Sequence, residues 1–294
     1  IRIFRSYIYF SAFANYCSFG HLPMPVKFGS TTPFGEPYWY DESKPSPFYN
    51  DSHKKFRKRM RDFVENDIIP YVEEWEAANS IPKNVFAKAA TVGLLPAIAG
   101  WPEEVEGIPP RPHDFDSFFS FIAYDELSRC ASGGTVWGLT GGLGIGLPPI
   151  VHAGTPTMMH NIVGPVLRGE KRIALAVSEP TAGSDVANLK TTAIKSGDKF
   201  VVNGLKKWIT CGMFADFFTT AVQTDPGSGF RGIQLLVIEK NRKGVSTRQM
   251  DCMGVKGSGT AYVEFDNVHV PAENLLPGGA ALLIGNFSME RIGI

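Results

Sequence analysis

Charge of one sign is what the chain most plainly lacks. Its 29 basic and 29 acidic residues cancel over 294 positions, so no global field recruits nucleic acid or an anionic membrane. Small molecules and proteins are the partners such a surface fits. Cysteine is scarce too: Cys17, Cys130, Cys211 and Cys252 stand far apart, with no CxxC pair and no histidine at metal-ligand spacing. That argues against a zinc site or a disulfide framework and fits a reducing compartment. No apolar run approaches the ~18 to 20 residues needed to span a bilayer. Acidic residues are missing before Glu36, where Arg2, Arg5 and Lys27 sit among hydroxyl and aromatic residues. The bias fits an organellar transit peptide, and a true start at Met24 accounts for it at least as well.

What is present reads as an ordinary globular chain, 44% hydrophobic and 20% charged, long enough for roughly two domains with their own cores. From Pro45 to about Gly169 the signals are helical. Phe56, Met60, Phe63, Val64 and Ile68 recur at helical spacing behind the capping candidates Asn50 and Asp51, and Pro70 interrupts that helix. The spacing predicts a second helix from Pro82, and a third whose face carries Phe115, Phe118, Phe119, Ile122 and Ala123. The proline-rich stretch 100–116 between them reads as a surface loop near a ligand entrance. The basic run "HKKFRKRMR" (53–61) reads as a solvated helix face rather than a phosphate site, given Glu65, Glu73, Glu74 and Glu76 close by. "GGLGIGLPPI" (141–150) lacks a preceding strand and a suitably spaced acid, so close packing around small residues explains it better than a dinucleotide loop.

After Lys171 the period changes to two. "RIALAV", "TTAIKS", "KFVVNGLKKWIT", "DFFTTAVQT", "GIQLLVIEK" and "AYVEFDNVHV" read as strands separated by Gly, Asp, Asn or Pro turns. Asn203-Gly204 is a type I′ hairpin signal. Short connections point to an antiparallel sheet or small barrel over 171–277, and from Gly278 the pattern turns helical again. The fold class is α+β multidomain: a helical N-terminal domain (46–170), a central antiparallel β domain (171–277) and the start of a C-terminal helical bundle (278–294). Residues 1–45 read as a leader or disordered extension.

Two segments carry the chemistry. In "ALAVSEPTAGSD" (174–185), Pro180 ends a strand and leaves Ser178 at its rim. Gly183 permits a left-handed turn, and successive amides beside the Ser184 hydroxyl form an anion-binding concavity that fits a pyrophosphate. For that segment alone a plain strand exit is the better explanation. In "KKWITCG" (206–212), strand alternation puts Trp208 and Thr210 on one face and Ile209 on the other with Leu205. An indole and a hydroxyl side by side suit the face and edge of a flat heterocycle.

"AVSEPTAGSD", "VVNGLKKWITCG", "MGVKGSGTAYVEFDNVHVP" and "NFSMERIGI", in that order, resemble the acyl-CoA dehydrogenase family over Lys171 to Ile294. The resemblance implies FAD held between the β and C-terminal domains, and a homo-oligomer, usually a tetramer. It places Leu175, Ala176, Val177 and Ser178 along the flavin, Gly183 and Ser184 by the pyrophosphate, Trp208 and Ile209 at the ring system, and Thr210 near its hydride-accepting nitrogen. Ser184, Ser288, Met289 and Arg291 are implied to contact acyl-CoA. The implied reaction is α,β-dehydrogenation of an acyl-CoA thioester to a trans-2-enoyl-CoA, with electrons passed to an electron-transferring flavoprotein. No metal is implied. A mitochondrial location follows only as a family expectation, with peroxisome and cytoplasm also open.

For the base that removes the α proton, two readings are open. Glu290, in an E-R pair with Arg291, resembles the arrangement in isovaleryl and long-chain enzymes, and the alternative is a glutamate beyond Ile294. Ser178 stands where Thr is common, and Cys211 where Asn is. If the chain ends at Ile294, much of the helical bundle is missing, FAD binding is weakened and activity alone is doubtful. Two other functions compete: a flavin oxidase of the same fold, acting on acyl-CoA or nitroalkanes, and a non-catalytic protein that retains the fold as a binding module.

Overall fold

The computed structural model describes residue 36, residues 46–103 and residues 105–290, with Met289 and Glu290 described by their backbone alone. The expected leader, the Met24 start and Cys17 lie outside the described residues. Two units emerge, Ile1–Phe48 and Tyr49–Ile294, and among the described residues every helix and strand belongs to the second. Its helices are α1 (Asp51–Phe63), α2 (Val72–Ala78), α3 (Lys83–Thr91), α4 (Leu94–Ile98), α5 (Ser117–Ser128), α6 (Gly133–Val136), α7 (Gly142–Gly146), α8 (Pro148–Ala153), α9 (Pro156–Met158), α10 (Gly164–Leu167) and, after the sheet, α11 (Gly279–Glu290). Its strands are β1 (Ile173–Ala176), β2 (Thr192–Ser196), β3 (Lys199–Ile209), β4 (Phe217–Gln223), β5 (Ile233–Glu239), β6 (Val245–Gln249), β7 (Ala261–Pro271) and β8 (Leu275–Leu276).

Capping residues start the helices and also join them. Asn50 accepts the amides of Ser52 and His53 at the head of α1, while His53 Nδ1 accepts the Asn50 amide at 3.1 Å. An accepting Nδ1 puts the ring proton on Nε2, which lies 3.0 Å from Asp116 Oδ1. Asp116 also accepts the Phe118 amide and so caps α5. The two helix starts are thereby tied through one imidazole. Pro70 does not end the first helical run. A π-helical stretch, Val64–Ile68, and a 3₁₀ turn, Ile69–Tyr71, carry it into α2, with proline early in the turn where no donor is needed. The second predicted helix begins at Lys83, with Pro82 extended just before it.

The basic run is not simply a solvated face. His53 and Arg57 are each 1% exposed, because this side of α1 faces α5 and the fully buried Glu126. Arg57 Nε lies 2.8 Å from Glu126 Oε1 and Arg61 Nη2 3.0 Å from the same oxygen. A carboxylate taken out of water requires such partners.

The strands form one mixed sheet in the order β6-β7-β3-β2-β4-β5-β8. Most pairs are antiparallel, but β1 runs parallel to β4 (Ala174 opposite Phe218), and β2 meets β4 in parallel at Thr192 and Gln223. The sheet curls on itself: Phe218 of β4 and Phe265 of β7, with two strands between them in the order, meet edge to face at 6.4 Å. Around them pack Ala174, Ala176, Phe200, Val202, Ile209 and Leu236. Burial explains the sequence patterns. β1 is buried throughout and β4 nearly so, whereas β7 alternates buried and exposed residues, since only its inner face is covered.

The expected hairpin at Asn203-Gly204 is not formed. β3 runs unbroken through it, and the reversal between β2 and β3 falls at Gly197-Asp198, where Ser196 pairs with Lys199. Gly204 serves close approach instead: a Cβ there would sit 2.4 Å from Thr191 Oγ1. Opposite it, β7 inserts one extra residue between the pairs Val202–Val268 and Gly204–Phe265, with Asn267 at φ 51°.

The glycine-rich stretch packs a helix on a strand. Added Cβ atoms would lie 2.1 Å from the Ile173 carbonyl oxygen at Gly142 and 2.9 Å from the Ala174 carbonyl carbon at Gly146. Helix α7 therefore lies directly on β1, and Thr219 Oγ1 donates to the Gly146 carbonyl at 2.6 Å.

A buried ion pair closes the other side of β1. Lys206 Nζ is 2.8 Å from Glu179 Oε1, with side chains 0% and 3% exposed, and also donates to the Val177 carbonyl at 3.1 Å. Glu179 accepts the Lys190 and Thr191 amides at 2.5 and 2.9 Å. Burial pushes the Glu179 carboxyl up, yet Lys206 and the neighbouring amides together hold it below the ordinary carboxylate value. Burial pushes the Lys206 ammonium down to about 8.

Two stability predictions follow from these contacts. Gly142→Ala forces overlap with backbone and is expected to cost about 1–3 kcal/mol, seen as a lower Tm. Gly183→Ala, with nothing within 4 Å of its new Cβ, leaves the Tm essentially unchanged. Glu179→Ala strands the Lys206 ammonium and is expected to cost about 3–5 kcal/mol in urea unfolding. Because the Glu179 carboxyl is held low in the folded chain, its contribution is complete above its unfolded value, roughly pH 4 to 5, and fades as pH falls through the folded value. Wild type should therefore lose stability in that acid range relative to Glu179→Gln/Lys206→Met, which carries neither charge. A difference that does not change with pH would count against the pair.

Candidate active site

The strand exit at β1 lies beside the end of β3. The Lys207 amide donates to the Ser178 carbonyl at 2.8 Å, so the two segments singled out in the sequence are hydrogen-bonded neighbours. The chain then doubles back, with Glu179 and Ala182 exchanging backbone bonds of 2.8 and 3.3 Å across Pro180-Thr181. Gly183 and Ser184 follow, exposed. Gly183 is not left-handed, contrary to expectation; what it offers is open space above its Cα. Among the described residues, the amides of Gly183, Ser184 and Asp185 donate to no protein acceptor. Such exposed donors suit an anion.

Side chains along the exit strand divide between two faces. Ala176 points into the β core, while Leu175 and Val177, each 8% exposed, are buried outside that cluster. Only the backbone of Ala176 is therefore free to line a ligand. Ser178 is half-buried at the strand's end.

At the end of β3 simple alternation fails. Leu205 is 39% exposed and Ile209 1%, so they do not share a face. The register explains it: β3 carries one extra residue between the pairs Lys206–Val263 and Ile209–Ala261, and Trp208 occupies the bulge at φ 64°. A bulky residue in that region carries about 1–3 kcal/mol of strain, supported by the surrounding sheet. The consequence is an indole 56% exposed at the rim, with Lys207 Nζ 4.7 Å from its centroid. Ile209 turns into the core, which leaves only its backbone to touch a ligand. Thr210 comes next, and Cys211 is sealed below it, Sγ 3.3 Å from the Gly138 carbonyl oxygen. Burial raises this thiol to about 11, so it stays protonated and inert.

A cavity of about 640 Å³ opens on the helical side, bounded by α4, α5 and the run from α6 to α8. That size suits a small-molecule ligand. Gly141 joins it to the sheet: a Cβ there would lie 2.7 Å from Trp137 Cε3 and 3.0 Å from Thr210 Cγ2. The 100–116 loop contributes Pro102, Arg111 and Phe115 to the lining. It is anchored rather than merely superficial, with Trp101 1% exposed and its Nε1 donating to the Pro109 carbonyl at 2.9 Å. Across the fold, Asn286 of α11 donates to the carbonyl of Ile145, a cavity residue, at 2.8 Å.

Ser178 and the end of β3, which carries Trp208 and Thr210, are thus neighbours through the backbone, with Gly183 and Ser184 on the same exit segment. Ser288 is exposed on the last turn of α11, its hydroxyl donating to the Ile284 carbonyl at 3.1 Å. The side chains of Met289 and Glu290, and all of Arg291, lie outside the described residues. Sequence reasoning missed Lys206 and Glu179. A signal existed for Lys206, which shares strand parity with the core residues Phe200 and Val202.

Comparison with known proteins accords with this geometry. The chain matches the acyl-CoA dehydrogenase N-terminal domain over residues 50–170 and the middle domain over 174–268. An acyl-CoA dehydrogenase of Alternaria alternata is 40% identical over 282 residues, covering 91% of this chain and 64% of its own length. The crystal structure of an acyl-CoA dehydrogenase from Geobacillus kaustophilus is 31% identical with a TM-score of 0.73, over 84% of this chain and 64% of that one. The Bacillus anthracis acyl-CoA dehydrogenase complexed with FAD is 32% identical, also with a TM-score of 0.73, over 84% of this chain and 41% of that one. The chain thus spans about 64% of the Alternaria relative's length. Two successive domain matches on one shared fold decide its place: the chain belongs to the acyl-CoA dehydrogenase family.

Proposed function

We propose that the chain carries the flavin bed and acyl cavity of an enzyme that dehydrogenates acyl-CoA thioesters between the α and β carbons. The meeting at Gly141 carries this reading, because there the rim with Trp208 and Thr210 touches the wall of a ligand-sized cavity. FAD is the cofactor these residues fit. The exposed indole offers a face for its ring system, Ser178 and Thr210 offer hydroxyls at its edge, and the free amides at Gly183 and Ser184 suit its pyrophosphate. When bound, FAD would supply the hydride acceptor for the β hydrogen. The chain's own share is to hold the thioester in place, exclude water and take the α proton.

Glu290 is the residue proposed to take that proton. It lies at the end of α11, the helix that Asn286 ties to the cavity wall. A carboxylate serves as a general base best when its pKa lies near the working pH. Ser184, Ser288, Met289 and Arg291 are proposed to bind the acyl-CoA, and an electron-transferring flavoprotein to accept the electrons. Relatives from Solanum tuberosum and Arabidopsis thaliana, each 32% identical, are named as mitochondrial enzymes, which supports a mitochondrial location.

Two experiments test this. Trp208→Ala should weaken FAD binding about three- to tenfold, the loss of one aromatic contact, read by quenching of flavin fluorescence; unchanged affinity removes Trp208 from the bed. In flavin-loaded protein, a panel of acyl-CoAs should bleach the flavin anaerobically, and Glu290→Gln should slow that bleaching by about 100-fold or more. Unchanged bleaching eliminates Glu290 as the base. Hydrogen peroxide formed with oxygen as sole acceptor would favour an oxidase instead.

A further inference from the structure

The cavity wall has a chemical bias of its own. Gly144 stands opposite Tyr124 and Ile98: a Cβ would lie 2.9 Å from Tyr124 Oη and 3.3 Å from Ile98 Cγ2. With Gly141, it keeps open a passage that any side chain would bridge. Five hydroxyl-bearing residues line this space, and Ser120 and Thr140 among them have committed their protons to carbonyls of the helical wall. Ser120 Oγ donates to the Ala97 carbonyl at 2.5 Å and Thr140 Oγ1 to the Val136 carbonyl at 2.7 Å. A hydroxyl has one proton and two lone pairs, so toward the cavity both act only as acceptors. The carboxylates of Asp116 and Asp125 line the same space. Arg111, a cation of the lining, is 2.6 Å from Glu103 and stacks 5.0 Å over Phe115.

A saturated hydrocarbon tail displaces water from these oxygens and gives them no donor, a cost that buried acceptors do not recover. A tail bearing a hydroxyl brings the missing proton. We propose that the acyl group taken into this cavity carries a hydroxyl beyond the reacting carbons, with Ser120 and Thr140 as the acceptors that select it. The proposal rests on the reading of the cavity as the acyl site.

Isothermal titration of the protein with octanoyl-CoA and its monohydroxylated isomers, the hydroxyl at successive carbons beyond the reacting pair, reads the preference directly. At least one isomer should bind about three- to tenfold tighter than octanoyl-CoA, the worth of one neutral hydrogen bond. In Ser120→Ala or in the isosteric Thr140→Val, the ratio for that isomer should fall toward one, a change that general loss of packing does not produce. Equal affinity for every isomer, or a preference that survives in both variants, overturns the hydroxyl proposal while the acyl-CoA reading stands. Failure of every acyl-CoA to bind overturns that reading and the proposal with it.

Discussion

The buried pair between Glu179 and Lys206 is the constraint on which the candidate site depends. It joins the turn after β1 to the last stretch of β3, two segments 27 residues apart, and it recruits the Lys190 and Thr191 amides from the following loop. A buried pair contributes little net stability against well-packed apolar residues. What it provides here is position: the Ser178 carbonyl is set against the Lys207 amide, and with it the whole rim that carries Trp208 and Thr210. The cost of two desolvated charges is offset by hydrogen bonds to every segment that the site needs to hold still.

Given that clamp, the bulge at Trp208 becomes intelligible. Lys206 must point inward to reach Glu179, and strict alternation would then send Trp208 inward too. The extra residue in β3 resets the phase, so Ile209 takes the next core position and the indole is left at the rim. A second irregularity, the extra residue in β7 near Asn267, shifts the same strand pair by one in the opposite sense. The two cancel, and β3 and β7 stay paired over their full length.

Three of the helices before the sheet and six of the strands were legible because each rests on a local cause. Asn50 announces a helix start, the period-two runs announce strands, and the glycine-rich stretch announces close packing. What escaped were features set by partners distant in sequence. Asn203-Gly204 carries good hairpin chemistry, but Gly204 is required for the approach of Thr191. The parallel pairing of β1 with β4 depends on α7 covering β1, which no local pattern encodes. The burial of Arg57 depends on Glu126, 69 residues away, and is invisible in a run that reads as uniformly basic. The two segments of the candidate site are neighbours in the fold, and the faces of Trp208 and Ile209 follow from a bulge rather than from simple alternation.

The same logic bears on why small residues gather where the two domains touch. Gly138, Gly141, Gly142 and Gly146 lie along one helical run, and each meets a different piece of the β domain or of the cavity wall: the Gly257 carbonyl, Thr210, the Ile173 carbonyl and Ala174. Glu76 reinforces this seam, accepting the Gly257 amide at 2.8 Å and bonding the Ser132 hydroxyl at the start of α6. A cavity bounded by a helix and a strand end is useful only if the two keep a fixed spacing, and contact through bare backbone is the least compressible way to fix it. The glycines that bring α7 onto β1 and those that leave the cavity open are therefore parts of one arrangement. Along a single run, absent side chains serve close packing on the face toward the sheet and free volume on the face toward α5.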